Sequence, residues 1–319
     1  MAAQNRYLKQ IAIILSLLFT VSLAAQAPQE LGTVDWLRSY DAAIKQSEKT
    51  GKPVFILFQE VPGCATCRNY GQNVMSEPLL VDAIENEFVP LAIFNNKGGQ
   101  DKKILDLYGE PTWNNPVVRI VNQEGKDLIN RIAGNYSIAG VVQGMQSALR
   151  AADRPSPEYL NLIAESQASQ TETAYYSMYC FWSGEAAFGS TDGVLATEPG
   201  WMDGKEVVKI VYDPNEVHNK DLDKIAAKNQ CKAIEHKDDY KIDKDPQYYL
   251  KQSKYSNLAL SRIQKSRINS ALKRGGNPDR YLSPTQLAYL NKLKTSKQYP
   301  KLYDQEIDIA WEQMAGGLD

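Results

Sequence analysis

The chain has 319 residues, of which 43% are hydrophobic and 23% are charged, the usual balance of a globular protein. This length accommodates two domains. The formal net charge is −2, so no overall positive field attracts nucleic acid, and we expect no nucleic-acid partner. The run 251–274 is basic and contains no acidic residue, and we interpret it as a solvated helical face.

The N-terminal residues have the pattern of a signal peptide. Arg6 and Lys9 precede the apolar run IAIILSLLFTVSLAA, which ends in small residues of the kind that signal peptidase cleaves after. The run is shorter than the ~20 residues that a membrane-spanning helix needs, although a membrane anchor over residues 11–25 is the alternative interpretation. We therefore predict a signal peptide over residues 1–27 and a mature protein that is periplasmic or secreted.

Residues 28–152 alternate between helical and strand patterns, which predicts an α/β domain with a mixed sheet. A helix with apolar residues at helical spacing from Trp36 onward ends at Gly51. The apolar runs PVFILFQE and FVPLAIFN are typical of strands that are buried on both faces. A third strand begins at Pro116, and Gly125 lies in a hairpin turn that leads to a fourth strand, DLINRIAGN.

Cys64 and Cys67 lie between the first apolar strand and the next predicted helix. The start of a helix favours a thiolate, and two sulfurs at this spacing can exchange a disulfide with a partner. A structural disulfide is the alternative in an oxidising compartment. A zinc site would need further ligands, and no second C-x-x-C or histidine pair lies nearby in the sequence. We therefore predict a redox-active dithiol and expect no metal and no dissociable cofactor.

Residues 31–152 resemble the thioredoxin-like family through the stretch VFILFQEVPGCATC and the strand NNPVVRIV. The resemblance implies that Cys64 is the attacking thiol and Cys67 the resolving thiol. It also implies that Pro116 is a cis-proline beside the dithiol. The usual Trp-Cys-Gly-Pro-Cys sequence is absent, so the resemblance does not set the reduction potential.

The second half begins after residues 153–172, which carry two prolines and then polar residues and which we interpret as a linker. Residues 173–319 are predicted to form an α+β domain of order β-α-β-β-α with a helical extension. Its strands are AYYSMYC, GVLATEPGW and KEVVKIVYDP, and its helices are FWSGEAAF and NKDLDKIAAKNQ. In the extension, Ser283 and Gln286 form a predicted capping box at a helix start.

Cys180 ends a predicted strand, and Phe181 begins a predicted helix. Phe181 and Trp182 can line an apolar pocket next to this sulfur. By strand alternation, Glu206 shares a face with Val208, and a carboxyl group among apolar neighbours favours its protonated, proton-donating form. A thiolate, an apolar cage and an acid suit the reduction of a sulfoxide. The alternative is that Cys180 is a small buried hydrophobic residue and Glu206 an ordinary charge at a hairpin end.

The stretches CFWSGEAAF, TEPGW and KEVVKIVYDP resemble the A-type peptide methionine sulfoxide reductases over residues 172–230. That family carries a G-C-F-W motif and an E-V-V-x-V-x-Y-D-P strand. The resemblance implies that Cys180 is the nucleophile, that Phe181 and Trp182 form the cage for the substrate methyl group, and that Glu206 is the proton donor.

The chain departs from that family at three places, one of which is that the family's downstream H-D-P and Q-Y-R-S stretches are missing. Tyr179 replaces the glycine that precedes the cysteine, and the loop 200–206 is shorter and lacks the tyrosine that positions the substrate. A second domain without activity is therefore an alternative. Another is a disulfide reductase or isomerase whose second domain only binds clients. A third is a non-enzymatic envelope protein with two structural disulfides.

Cys231 follows the predicted helix NKDLDKIAAKNQ. A sulfenic acid formed at Cys180 condenses with a nearby thiol, and we predict that Cys231 is this resolving thiol. The Cys64–Cys67 pair would then reduce the resulting disulfide; the alternative is that Cys231 is an unpaired structural thiol. The sequence thus predicts an exported thiol oxidoreductase that reduces peptide methionine (S)-S-oxide. Oxidised envelope proteins are the expected substrates, and a membrane thiol-reducing protein is the expected electron donor.

Overall fold

In a computed structural model of the protein, the structure describes residues 28–113, 116–235, 238–294 and 298–318. The predicted signal peptide, and with it the alternative anchor, lies outside these residues. The expected cis bond before Pro116 involves Asn115, which also lies outside them. Within the described ranges, no helix is long and apolar enough to cross a membrane.

The first half of the chain contains a four-stranded mixed sheet, as predicted. Its strands are β1 (Val54–Gln59), β2 (Val89–Phe94), β3 (Val117–Val121) and β4 (Ile132–Ala133). Their order is β2-β1-β3-β4, with β1 parallel to β2 and antiparallel to β3. Every residue of β1 is buried, which confirms a strand that is covered on both faces.

Five helices accompany this sheet: α1 (Tyr40–Thr50), α2 (Ala65–Asn73), α3 (Pro78–Glu87), α4 (Gln100–Tyr108) and α5 (Ile138–Ala151). Residues of α3 and α5 pack against Phe55 and Leu57, whereas α1 and α4 pack against the opposite face of β1. The prediction that α1 includes Trp36 is wrong. The Ser39 side chain accepts the main-chain N–H of Ala42 and caps the helix, so Trp36 precedes it.

The hairpin after β3 turns at Gly125, whose φ of 73° confirms the expected left-handed conformation. A Cβ atom at this glycine would lie 2.3 Å from the hydroxyl oxygen of Tyr40. Both the left-handed conformation and this close contact therefore disfavour any other residue at position 125. The fourth strand is much shorter than the predicted DLINRIAGN. Asp127 forms an isolated bridge to Val121, and β4 begins at Ile132. The Asn122 side chain accepts the main-chain N–H groups of Glu124 and Lys126 and so stabilises the turn before this segment.

The segment that we interpret as a linker contains a helix, α6 (Glu158–Glu165). Tyr159, Leu160 and Ile163 join the core of the first half. Leu162 instead joins the core of the C-terminal helices. This segment is therefore a packed element that contributes to two cores.

The second half contains a five-stranded antiparallel sheet and two helices that accompany it. The bounds are β5 (Glu172–Ser177), α7 (Phe181–Phe188), β6 (Val194–Met202), β7 (Lys205–Tyr212), α8 (Asn219–Lys228), β8 (Lys232–Ile234) and β9 (Lys241–Ile242). The strand order in the sheet is β8-β5-β7-β6-β9. From β5 to α8 the elements follow the predicted order β-α-β-β-α.

The helical extension comprises α9 (Tyr248–Lys251), α10 (Arg262–Arg274), α11 (Pro284–Lys292) and α12 (Ile307–Ala315). Of the predicted capping box at the start of α11, the Gln286 side chain accepts the main-chain N–H of Ser283 at 2.9 Å. The extension also contacts the first half of the chain, because the Asp82 carboxylate in α3 accepts the main-chain N–H and the hydroxyl group of Thr285.

The prediction that residues 251–274 form a solvated face is wrong, because α10 is largely buried against α7 and β6. The Arg267 guanidinium is 2% exposed and donates to the main-chain carbonyls of Gly189 and Val194. It also forms an ion pair with Glu165, and the Ser270 hydroxyl donates to the carbonyl of Ala186. These polar side chains donate to carbonyl groups at and beyond the C-terminal end of α7, where a helix leaves its last carbonyls without intrahelical partners.

We predict that Arg267→Ala lowers the free energy of unfolding by about 3 kcal/mol, because it leaves two buried carbonyl oxygens and Glu165 without this partner. The control is Arg280→Ala, which removes an exposed ion pair with Glu158 and should cost under about 1 kcal/mol. Urea unfolding followed by circular dichroism measures both. Equal midpoints for the two variants would contradict the role of Arg267.

Candidate active site

The dithiol lies at the junction of β1 and α2, as predicted. Cys64 is the N-cap residue of α2, and Cys67 lies in the first turn. Their sulfur atoms are 3.7 Å apart, and both are free thiols. Cys64 is exposed, whereas Cys67 is fully buried. An incoming disulfide can therefore reach one sulfur directly, with the second close behind it.

The two thiols differ in acidity as well as in access. The main-chain N–H of Cys67 donates to the Cys64 sulfur and lowers the pKa of that thiol. Burial, aided by the hydrogen bond with Cys64, raises the pKa of Cys67 to about 11. A thiolate is thus favoured at the accessible sulfur and disfavoured at the buried one. This is the asymmetry that attack by Cys64 and resolution by Cys67 require.

Polar groups surround the loop that leads to Cys64. The Asn96 side chain accepts the main-chain N–H of Val61 and donates to the carbonyl of Pro62, and Arg68 donates to the carbonyl of Gly63. A carboxylate oxygen of Glu60 and the two sulfurs lie within 4.8 Å of one another. These three side chains could hold a metal ion, with one ligand fewer than a structural zinc site uses.

The second candidate site is a pocket of about 520 Å³ at the start of α7. Cys180 is the N-cap residue of this helix and is half-buried. The pocket combines this thiol with aromatic walls and a charged rim. Its lining comprises Tyr179, Cys180, Phe181, Trp182, Trp201, Glu206, Asp243, Lys244 and Asp245. The four residues that the sequence predicts for one site, Cys180, Phe181, Trp182 and Glu206, are therefore brought together.

Glu206 lies near the start of β7, and its carboxylate accepts the main-chain N–H of Phe181 at 2.8 Å. Val208 and Ile210, on the same face of the strand, are fully buried, which matches the alternation in the sequence. The side chain of Glu206 itself is half-buried and reaches the pocket. The carboxyl group thus lies one residue from Cys180, at the electropositive end of α7.

Three aromatic rings form the pocket wall. The Phe181 ring lies 5.4 Å, centroid to centroid, from the rings of both Trp182 and Trp201. Trp182 stacks at 4.0 Å on Tyr248, which begins α9. Trp201 was not predicted, although the register of a hairpin that turns at MDG places it opposite Glu206. No sequence motif around Tyr248 predicts its place in the pocket, because Trp182, the ring on which it stacks, is far away in the sequence.

Two further contacts fix the pocket and its rim. The indole N–H of Trp201 donates to the Asp243 carboxylate at 3.3 Å. Glu185, which is fully buried in α7, accepts the main-chain N–H of Gln247, and burial raises its pKa well above the usual range. Tyr179 is 98% exposed, so the residue that replaces the family's glycine lies at the rim and leaves Cys180 accessible.

Cys231 lies outside the pocket lining. Its sulfur is buried 3.8 Å from the sulfur of Met178, which precedes Cys180 by two residues. Burial raises the pKa of Cys231 to about 11. The sequence-based assignment of Cys231 as a resolving thiol thus stays a prediction, and it requires this thiol to leave its buried position.

Residues 35–123 match the family model described as thioredoxin-like. This part of the chain is a thioredoxin-like domain. The chain also resembles peptide methionine sulfoxide reductases named MsrA. The protein of Methanococcus maripaludis strain C7 is 37% identical over 78 residues, which cover 19% of this chain and 50% of that protein. The MsrA protein of strain C6 is 37% identical over 71 residues, which cover 17% of this chain and 45% of that protein.

The chain therefore spans about half the length of the curated relatives that it matches. Among solved structures, a DsbH oxidoreductase is 18% identical with a TM-score of 0.33, and the match covers 40% of this chain and 92% of that one. Both resemblances named from the sequence are confirmed, the one to MsrA over a short stretch. The thioredoxin-like domain and the partial similarity to MsrA support an oxidoreductase.

We predict that limiting iodoacetamide at pH 7 modifies Cys64 before Cys67 and Cys231. Of these three thiols, only Cys64 combines exposure with a lowered pKa, whereas burial raises the pKa of each of the other two to about 11. Raising the pH toward 11 should increase the relative reactivity of these two. Peptide mass spectrometry gives the order, and the same reaction in guanidinium, where burial is lost, is the control. Equal rates in the folded protein would contradict the assignment.

Proposed function

We propose that this protein is a thiol oxidoreductase that reduces methionine (S)-S-oxide in peptides at Cys180 and is recycled by Cys64 and Cys67. One observation carries the proposal. The Cys180 thiol, the aromatic walls and the Glu206 carboxyl group line the same pocket, and Glu206 accepts a hydrogen bond from the main-chain N–H of Phe181. The partial similarity to MsrA agrees with this chemistry.

The first step follows from the placement of these groups. The aromatic wall of Phe181, Trp182 and Trp201 takes the methyl group of the substrate, because this wall is apolar and its Trp201 ring is 43% exposed. The Cys180 sulfur attacks the sulfoxide sulfur, while Glu206 supplies a proton to the sulfoxide oxygen. The thioether leaves, and the oxygen ends on Cys180 as a sulfenic acid, so the substrate gains the two electrons that Cys180 loses.

The second step returns Cys180 to a thiol. The thiol of Cys231 condenses with the sulfenic acid, which forms a disulfide and releases water. The Cys64–Cys67 dithiol then exchanges with this disulfide and becomes oxidised itself. Cys231 must first move away from Met178, because the sulfur atoms of Cys231 and Met178 are packed together in the resting structure. A second thiol donor must then reduce the Cys64–Cys67 disulfide.

The compartment supplies the remaining partners in this proposal. With the predicted signal peptide removed, the protein acts in the periplasm or outside the cell, on oxidised envelope proteins. A membrane protein with a reducing thiol pair is the electron donor, since no soluble thiol pool keeps such a compartment reduced.

A disulfide reductase is the second candidate function. The observation that favours it is the exposed Cys64 thiol with its lowered pKa beside the buried Cys67. In that case the exposed aromatic pocket around Trp201 binds client proteins without reacting with them.

We predict that Cys180→Ser abolishes the reduction of dabsylated methionine sulfoxide with dithiothreitol and that Glu206→Gln slows it about 100-fold, because each removes a group that reacts. The control is Glu198→Gln, which changes a half-buried carboxylate on β6 that pairs with Lys209 and lies outside the pocket lining. It should turn over near the wild-type rate. Equal rates in Cys180→Ser and wild type would sink the sulfoxide hypothesis and leave the disulfide reductase.

A further variant addresses recycling. Cys231→Ser should turn over with dithiothreitol but fail when the Cys64–Cys67 pair is the only reductant. Turnover under both conditions would show that Cys231 is not the resolving thiol.

We further predict that Trp201→Ala raises the KM for a sulfoxide peptide about tenfold, because it removes one of the three aromatic walls. Trp201→Phe, which keeps a ring but loses the hydrogen bond to Asp243, should recover most of the affinity. Trp113→Ala is the control, since this indole is 79% exposed and belongs to the thioredoxin-like domain. An unchanged KM in Trp201→Ala would exclude the indole from the binding site.

A further inference from the structure

Glu30 connects two sides of the dithiol loop, although it lies 33 residues before it. Its side chain is buried, with the residue only 5% exposed, and one carboxylate oxygen accepts the main-chain N–H of Gly63 at 2.8 Å. Its main-chain carbonyl accepts the side-chain amide of Gln59 at 2.8 Å. The same amide nitrogen donates to the carbonyl of Cys67 at 3.1 Å. Glu30 therefore contacts the residue before Cys64 directly and is linked to the first turn of α2 through the Gln59 side chain.

The turn that carries Glu30 is held tightly against α2. This turn, Gln29–Leu31, is a short 3-10 helix. A Cβ atom at Gly71 in α2 would lie 2.0 Å from the carbonyl oxygen of Gln29. One at Gly32 would lie 2.1 Å from the carbonyl oxygen of Met75. The two backbones touch because both positions are glycine, and this close contact fixes where the Glu30 carboxylate lies.

We propose that Glu30 is a positioning residue that holds the dithiol loop in place, so that Cys64 and Cys67 close their disulfide readily. The inference rests on the proposed redox function of this pair. In this proposal Glu30 acts through the oxygen that accepts the main-chain N–H of Gly63, and not through its negative charge. The other charged groups at the loop are Glu60, which approaches both sulfurs, and Arg68, which donates to the carbonyl of Gly63.

The physical reason is the freedom that ring closure removes. Two sulfurs held 3.7 Å apart lose little freedom when they form a bond of about 2.05 Å, so oxidation is favoured. Without the acceptor from Glu30, the N–H of Gly63 loses its partner and the loop gains conformations in which the sulfurs are apart. Oxidation to the disulfide then costs more entropy, whereas the dithiol is affected little.

The experiment equilibrates the full chain in glutathione buffers, traps the thiols with acid and alkylation, and quantifies the Cys64–Cys67 peptide by mass spectrometry. Glu30→Ala should lower the equilibrium constant for disulfide formation about tenfold, which raises the reduction potential by about 30 mV for this two-electron couple. Glu30→Gln keeps an oxygen acceptor and should stay within about threefold of wild type. Glu30→Asp keeps the charge but is one methylene too short, and it should shift in the direction of Glu30→Ala.

The matched control is Glu85→Ala. Glu85 accepts the main-chain N–H of Asp35, also at 2.8 Å and in the same half of the chain, but away from the dithiol, so its loss should leave the potential unchanged. Thermal melting shows whether each variant is folded, and Glu30→Asp carries the test if Glu30→Ala is not.

Two results would overturn the inference while leaving the redox function intact. One is a wild-type potential in the folded Glu30→Ala or Glu30→Asp variant. The other is a shift in Glu30→Gln as large as that in Glu30→Ala, since charge rather than positioning would then be the cause. A wild-type protein whose Cys64–Cys67 pair does not exchange with glutathione at all is a different failure, which overturns the proposed redox function and this inference together.

Discussion

The hydrogen bond from the main-chain N–H of Phe181 to the Glu206 carboxylate joins the two elements on which the Cys180 pocket depends. These residues are 25 positions apart in the chain, and each lies at the end of its element, where α7 starts and β7 starts. Glu206 supplies an acceptor to one of the N–H groups that the first turn of a helix leaves unpaired. The contact that fixes the acid therefore also fixes the first turn of the helix that carries the thiol.

The helical extension supports α7 from its other sides. Tyr248 stacks on Trp182 near the start of the helix, and Gln247 donates to the buried Glu185 in its middle. At and beyond its C-terminal end, Arg267 and Ser270 donate to main-chain carbonyls. Directional polar contacts of this kind specify one position more sharply than apolar packing does. A short α+β layer thus has a defined pocket because the extension supports the helix that forms it.

Local patterns were sufficient to predict much of this structure. The apolar run of β1, the capping box at Ser283 and the cysteine pair at a strand-to-helix junction each depend on residues that are close in sequence. The grouping of Cys180 with Glu206 also follows, because one helix start and one hairpin place both residues at the same edge of the sheet.

What the sequence did not predict depends on partners that are distant in the chain. The polar residues of α10 predict a face exposed to water, yet Arg267 and Ser270 donate to carbonyl groups of α7 and of the residues after it. Glu30 has no local motif, and its role emerges only when the N-terminal turn lies against α2. The burial of Cys231 follows from the pairing of β8 with β5, which places this thiol beside Met178. Sequence periodicity indicates which face of a helix or strand is apolar, but it does not indicate which distant residues pack against that element.

The eight-residue helix α6 has a consequence for the whole chain. Because Leu162 belongs to one core and the adjacent Ile163 to the other, neither half keeps a complete interior when the chain is divided here. Expression of either half alone would expose apolar side chains that the intact protein covers. The thioredoxin-like domain and the Cys180 pocket should accordingly denature in one cooperative transition, so that the dithiol and the pocket are present or lost together.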